Sequence, residues 1–120
     1  MRLKSEIWAK AYLRRLGCEA IPAAVLRHGD DGAGAIFIKV NTRDGQALIL
    51  SPAPGGMGGE MDGAEGIGRR WTPAFANGAV AEAEADAFLA KQARFDPDIW
   101  VIELEDPKGR HFLDDYVERR

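Results

Sequence analysis

Two stretches of the chain place apolar residues at the spacing of an amphipathic helix. In residues 5–17 apolar side chains recur every three or four positions, and Ser5 stands where an N-cap is expected. In residues 79–95 a similar face recurs, acids crowd the first half, and Pro97 prevents further helix. We predict one helix in each stretch. The first apolar face is formed by Ala9, Tyr12, Leu13 and Leu16.

Short apolar runs outside these helices predict β-strands. The clearest is AIFIKV at 35–40, where Phe37 and Lys39 fall on the face opposite to the three branched residues. Other strands are expected at 21–28, 47–50 and 99–104, with a short one at 70–75 that Pro73 interrupts.

These elements follow one another as α-β-β-β-(β)-α-β. Short turn sequences join the strands between 21 and 50, which predicts a three-stranded antiparallel meander. Two amphipathic helices need a sheet to cover. We therefore predict a two-layer α+β fold, in which the mainly antiparallel sheet is the meander plus a C-terminal strand.

Length and glycine content define the expected domain organisation. A chain of 120 residues is one domain's worth, so residues 1–120 are expected to form a single domain. Residues 51–70 contain seven of the 14 glycines, and their apolar residues show no regular spacing. This stretch predicts a flexible loop within the domain.

Composition and charge exclude several classes of protein. The net charge of −3 argues against a general nucleic-acid coat, and one cysteine excludes a disulfide framework or a cysteine-rich metal site. Charged residues interrupt every apolar stretch near the N-terminus, so neither an export signal nor a membrane helix is expected. The free thiol and the missing signal together predict a cytoplasmic protein with no membrane partner.

The candidates for catalysis and metal binding are sparse. His28 beside Asp30 could supply a general base and its orienting carboxylate, but a turn with polar side chains is the preferred explanation of both residues. No nucleophile-elbow or zinc-protease motif is present. The acidic pairs lack the spacing of a calcium loop, so we expect no metal and no cofactor. An enzyme would need His28, Asp30 or His111 to meet across the fold.

Arginines and tryptophans are the stronger candidates for binding. A basic, tryptophan-containing segment follows the Gly-rich stretch and could clamp a phosphate and stack on a base, or simply rejoin the body of the protein. The first helix and the following turn add a basic patch suited to RNA or to an acidic partner. The predicted binding residues are Arg14, Arg15, Arg27, Asp30, Arg69, Arg70, Trp71 and Trp100.

Three blocks of the sequence resemble a known family. The blocks are LKSEIWAKAYLRR, then GAIFIKVN preceded by Arg27-x-Gly29-Asp30, then EAEADAFLAKQARFDPDIWVIELED followed by GRHF. They are similar to short alphaproteobacterial proteins of the domain-of-unknown-function family 1491. The resemblance covers nearly the whole chain except residues 51–70. It implies a stand-alone cytoplasmic bacterial protein, and it supplies no activity, cofactor or catalytic residue.

Two functions of different classes follow from these residues. The first is a small non-catalytic binding or regulatory module, acting through a protein interface at the sheet edge and an exposed Trp/Arg surface. Its partner could be a second copy of the chain, since an uncovered edge strand tends to pair. The alternative is a phosphate-ligand protein, for RNA or a nucleotide, which would use Trp71 and the arginines at 14, 15, 27, 69 and 70.

Overall fold

The computed structural model describes residues 3–53 and 69–117, which form two α-helices and six strands. The helices are α1 (Ser5–Cys18) and α2 (Glu82–Phe95). The strands are β1 (Ala23–Arg27), β2 (Ile36–Asn41), β3 (Gln46–Pro52), β4 (Trp71–Pro73), β5 (Ala79–Ala81) and β6 (Trp100–Glu105). This confirms the α+β class and the predicted number of helices. Residues 54–68 of the predicted Gly-rich loop lie outside the described residues, and residues 51–52 belong to β3.

The sheet is mainly antiparallel, in the order β1-β6-β2-β3-β4, and β5 also pairs with β3. The β2–β3 hairpin confirms two strands of the predicted meander, and its turn uses Gly45 at a φ of 85°. The predicted pairing of β1 with β2 in this meander was wrong. Strand β6 lies between them and runs parallel to β2. The physical reason is burial. Strand β6 is apolar on both faces and takes a central position, whereas β1 is exposed along most of its length and forms an edge.

The two helices cover opposite faces of the sheet, so the structure has three layers instead of the predicted two. On one face, α1 packs against Ile38 and Ile102 and their neighbours. On the other face, Ala85 and Leu89 of α2 pack against Phe37 and a second cluster. Strands β2 and β6 carry apolar side chains on both faces of the sheet. A helix on one face could not have removed the apolar side chains of the other face from water.

The ends of the helices differ from the pattern in informative ways. Ser5 does not cap α1; it is buried in the first turn, and its hydroxyl donates to the carbonyl of Gly34 at 2.5 Å. Helix α2 begins only at Glu82, because residues 79–81 pair with β3 as strand β5. Within the described ranges, neither helix has the length and apolar content needed to cross a membrane.

A tight turn after β6 directs the C-terminal segment back over the α1 face. The buried Asp106 carboxylate accepts hydrogen bonds from the side chain and backbone of Arg110 and from the backbone of Lys108. The hydrogen bond from the Arg110 guanidinium, more than any other contact, lowers the pKa of Asp106 to about 2. The turn is therefore held by a carboxylate that is ionised in the folded protein.

We expect Asp106→Asn to lower the free energy of unfolding at neutral pH by about 2 kcal/mol, since it removes charge-assisted hydrogen bonds. A lowered pKa stabilises the fold above the unfolded value near 3.8, and this contribution is lost as the pH falls through about 2. Urea unfolding between pH 2 and pH 7 should show the wild-type and variant curves converging in acid. A gap that stays constant down to pH 2 would contradict this role.

Candidate functional site

The last residues of the predicted Gly-rich loop and the tryptophan that follows it pack into the core, so the loop prediction was wrong at this end. Trp71 is 1% exposed, its Nε1 donates to the carbonyl of Ile36 at 2.9 Å, and its ring lies 4.8 Å from that of Trp8. The buried Arg69 donates to the hydroxyl of Ser5 at 2.9 Å and so joins this segment to the start of α1. Base stacking needs an exposed ring face. In this arrangement the Trp71 indole faces the core, and the backbone carbonyl of the half-buried Arg70 accepts from Ala53.

The turn that contains Asp30 packs on the start of β6. Trp100 is buried, and its Nε1 donates to the backbone carbonyl of Asp30 at 2.8 Å. The Asp30 carboxylate accepts from the backbone of Ala33 at 2.8 Å and from the backbone of Gly32, which shapes the turn. Asp30 and Trp100, which were predicted as binding residues, therefore make hydrogen bonds within the protein.

The histidines do not form the pairing with Asp30 that a general base at His28 would need. The ring of His28 lies 4.0 Å from that of Trp100, and its Nε2 is 2.6 Å from Asp31, so Asp31 is the paired carboxylate and Asp30 is not. His111 is held in the C-terminal segment, where its Nδ1 accepts from the backbone of Leu113 at 3.0 Å. The His28–Asp31 pair is well exposed to solvent. It resembles a surface turn more than an enclosed proton-transfer site.

The predicted arginines do not converge on one clamp. Arg27 donates to the carbonyl of Pro97 at 2.8 Å and fixes the end of β1. Arg14 and Arg15 are exposed on α1. Because a helix rises 1.5 Å per residue, Arg15 stands about 15 Å along α1 from Ser5, the partner of Arg69. These arginines belong to separate parts of the surface and the core.

A buried lysine on the central strand β2 is the charged group that sequence reasoning missed. Lys39 is 3% exposed, and its Nζ lies 2.8 Å from Glu82, 2.8 Å from Asp86 and 3.1 Å from Glu103. We call these four residues the Lys39 cluster. Burial alone would lower the pKa of Lys39, but hydrogen bonds with Asp86, Glu82 and Glu103 outweigh burial and raise it. The cluster therefore joins α2, β2 and β6 through one ammonium group.

The available signal for this cluster was a charged residue inside each of two apolar strands. One lysine interrupts AIFIKV and one glutamate interrupts IWVIEL, while the acids at 82 and 86 share a face of α2. The Lys39 ammonium offsets part of the negative charge of the three carboxylates around it. Across residues 3–53 and 69–117, no group of three or more His, Cys, Asp or Glu side chains is arranged to hold a metal ion.

The strongest candidate for an interaction surface is the outer edge of β1. Among the described residues β1 pairs only with β6, so its other edge is open. Val25 is 37% exposed and Leu26 is 52% exposed. The register shifts between Val25 and Arg27, which indicates a β-bulge at Leu26. An open backbone edge beside exposed apolar side chains can accept a strand from another chain.

Comparisons with known proteins identify relatives over the whole fold. A family model described as a protein of unknown function, DUF1491, matches residues 3–114. A DUF1491 family protein from Caulobacter crescentus, solved by crystallography, is 38% identical with a TM-score of 0.77, and the match covers 99% of this chain and 100% of the other. Its family also has an NMR structure from that organism, at 39% identity, a TM-score of 0.76 and 99% coverage of both chains. Protein Atu0922 from A. tumefaciens is 38% identical with a TM-score of 0.71, over 88% of this chain and 86% of the other.

No curated protein matches this chain. The family match and the structural matches therefore agree on the fold, and they carry no assigned activity. On this evidence the chain belongs to the DUF1491 family.

Proposed function

We propose that this protein is a small, non-catalytic binding module that acts in the cytoplasm through a protein interface at the edge of its sheet. The single observation that carries the proposal is the open edge of β1 with exposed Val25 and Leu26. The exposed thiol of Cys18 is consistent with a reducing compartment. In this function a partner segment would add a strand to β1.

The geometry of β1 suits this mode of binding. Backbone hydrogen bonds of an added strand supply affinity, and exposed side chains on the edge supply specificity. The bond from Arg27 to Pro97 fixes one end of the strand, so the edge is presented by a rigid element. The bulge at Leu26 limits regular pairing to residues 23–25, which favours a short partner segment over a long strand.

The alternative function, binding of RNA or a nucleotide, has less support from the geometry. It relied on Trp71 as a stacking surface and on a shared arginine clamp. Trp71 faces the core, and the side chain of Arg69 donates to Leu3 and Ser5. A phosphate would have to compete with these internal contacts.

Site-specific photo-crosslinking tests the proposed interface. The photoreactive residue p-benzoylphenylalanine is placed at Leu26 on the β1 edge or, as a control, at the exposed Lys91 of α2. Irradiation of cells should give a discrete protein adduct from position 26 and none from position 91. The mass of the adduct distinguishes a second copy of this chain from another protein. Equal adducts at both positions, or none at position 26, would contradict the proposal.

A further inference from the structure

A second surface, separate from β1, lies between α1 and the C-terminal segment. It is a groove of about 190 Å³ with an aromatic floor formed by Trp8 and Tyr12. Leu3, Leu113, Tyr116 and Arg15 also line it. Leu3 is 38% exposed, and Ile7 on the adjoining surface of α1 is 50% exposed. The groove therefore offers an apolar space next to a cation.

The charge of α1 together with its N-cap residue Lys4 is opposite to that of the whole protein. Residues 4–18 contain four cations and one acid, a net charge of +3, whereas the chain carries −3. Glu6 lies 3.3 Å from Lys10, so one cation is already paired. Lys4 is the N-cap residue of α1, Arg15 lies in its last turn, and the positions of Lys4, Trp8 and Arg15 are i, i+4 and i+11. The separation of Lys4 and Arg15 along the helix is about 16 Å, and the aromatic floor lies between them.

The protein's own C-terminal segment shows which chemistry packs against this side of α1. Tyr12 donates its hydroxyl hydrogen bond to the carbonyl of His111 at 2.9 Å, and Leu113 is buried. The guanidinium of Arg15 lies 6.0 Å from the ring of Phe112. The next two residues of this segment, at 114 and 115, are exposed aspartates. An apolar side chain of the protein, Leu113, thus lines the groove, and exposed carboxylates follow it directly in the chain.

We propose that this groove binds an acidic peptide segment of a partner protein, in which one apolar side chain lies between two carboxylates. The apolar side chain enters the space over Trp8 and Tyr12, while the carboxylates pair with Lys4 and Arg15. An extended chain advances about 3.3 Å per residue, so carboxylates five residues apart match the spacing of the two cations. This inference is independent of the β1 edge, because no residue of β1 lines the groove.

The test uses two adjacent arginines as a matched pair. The synthetic peptide Ac-Glu-Ser-Phe-Ser-Ser-Glu-NH2 is titrated into the whole protein, and binding is followed by NMR through the indole N–H of Trp8. Arg14 and Arg15 are both exposed but point about 100° apart around α1. Arg15→Glu should weaken binding about fivefold or more, and Arg14→Glu less than twofold, since each changes the net charge equally.

Two further measurements keep the proposal falsifiable. Ala11 is an exposed helix residue that lines the groove, so Ala11→Leu should fill the space and abolish the shift at Trp8 without affecting α1. Replacing both glutamates of the peptide by glutamine should weaken binding. Equal effects of Arg14→Glu and Arg15→Glu, or no saturable shift with millimolar peptide, would overturn the proposal. Tighter binding of a single-stranded RNA oligomer at the same residues would overturn it in favour of a nucleic-acid surface.

Discussion

Replacing Lys39 with methionine is expected to lower the free energy of unfolding by about 3 kcal/mol. The variant keeps an unbranched side chain in the same space but removes the ammonium group from three carboxylates within 3.1 Å. Glu103 is only 18% exposed, so water can replace little of the lost interaction. Urea unfolding at pH 7 measures the change.

A surface pair on α1 provides the control for Lys39. Lys10 lies 3.3 Å from Glu6, with side chains 68% and 38% exposed. Lys10→Met should therefore change the free energy of unfolding by less than about 0.5 kcal/mol. Adding Glu103→Gln to Lys39→Met should recover part of the loss by removing the buried charge. Equal effects of the two lysine substitutions would show that the Lys39 cluster does not hold α2 to the sheet.

The pH dependence of the Lys39 contribution has a defined sign. The pKa of Lys39 is raised in the folded protein, so its contribution is complete below the unfolded value near 10.5 and is lost as the pH rises through the folded value. The difference between wild type and Lys39→Met should therefore persist to pH 10. It should narrow only in stronger alkali.

Gly29→Ala is expected to lower the free energy of unfolding by about 4 kcal/mol, because it places a methyl group against backbone atoms that cannot move independently. An added Cβ would overlap the carbonyl oxygen of Asp98 and the backbone of Ile99. To relieve the overlap the turn must move away from β6. This movement breaks the bonds from Asp30 N to Asp98 O and from Trp100 Nε1 to Asp30 O. Thermal and urea unfolding would both report the loss.

The matched control is Gly17→Ala within α1. A Cβ at this position meets no atom within 4 Å, and Gly17 has an ordinary helical backbone. The same change from glycine to alanine should therefore raise the free energy of unfolding by about 0.5–1 kcal/mol. A loss at Gly29 no larger than about 1 kcal/mol would mean that the turn and β6 are less tightly joined than the structure indicates.

The local spacing of apolar residues predicted the helices and strands of this fold, but it did not predict which strands pair with each other. The periodicity of residues 5–17 and the run 35–40 gave α1 and β2 nearly at their observed bounds. The pairing of β6 with β1 and β2 depends on contacts far apart in the chain, and turn sequences carry no information about them. Only the apolar character of both faces of β6 pointed to a central strand, and it did not exclude other positions.

The candidate sites were predictable only where exposure could be inferred. Arg14 falls opposite the apolar face that the periodicity predicts for the first helix, and in the structure its side chain is exposed. Trp71 looked like a ligand platform because glycines and arginines precede it, but burial depends on Trp8 and β3, which are distant in sequence. Lys39 lay opposite the strand's branched residues and would be solvated if α2 did not cover that face. Tertiary contact decided each of these cases.

The position of β6 also has a consequence for synthesis of the protein on the ribosome. Strands β1 and β2 leave the exit tunnel well before β6. The backbone edge by which each of them pairs with β6 stays without a partner until β6 has emerged. During elongation the nascent chain therefore exposes unpaired apolar strands that cannot yet form the sheet. Within the described part of the chain, α1, α2 and the β2–β3 hairpin can form before β6 emerges, because each is built from neighbouring residues. We expect stable folding to begin only when Trp100–Glu105 is free of the ribosome, which makes this a late-folding protein for its size.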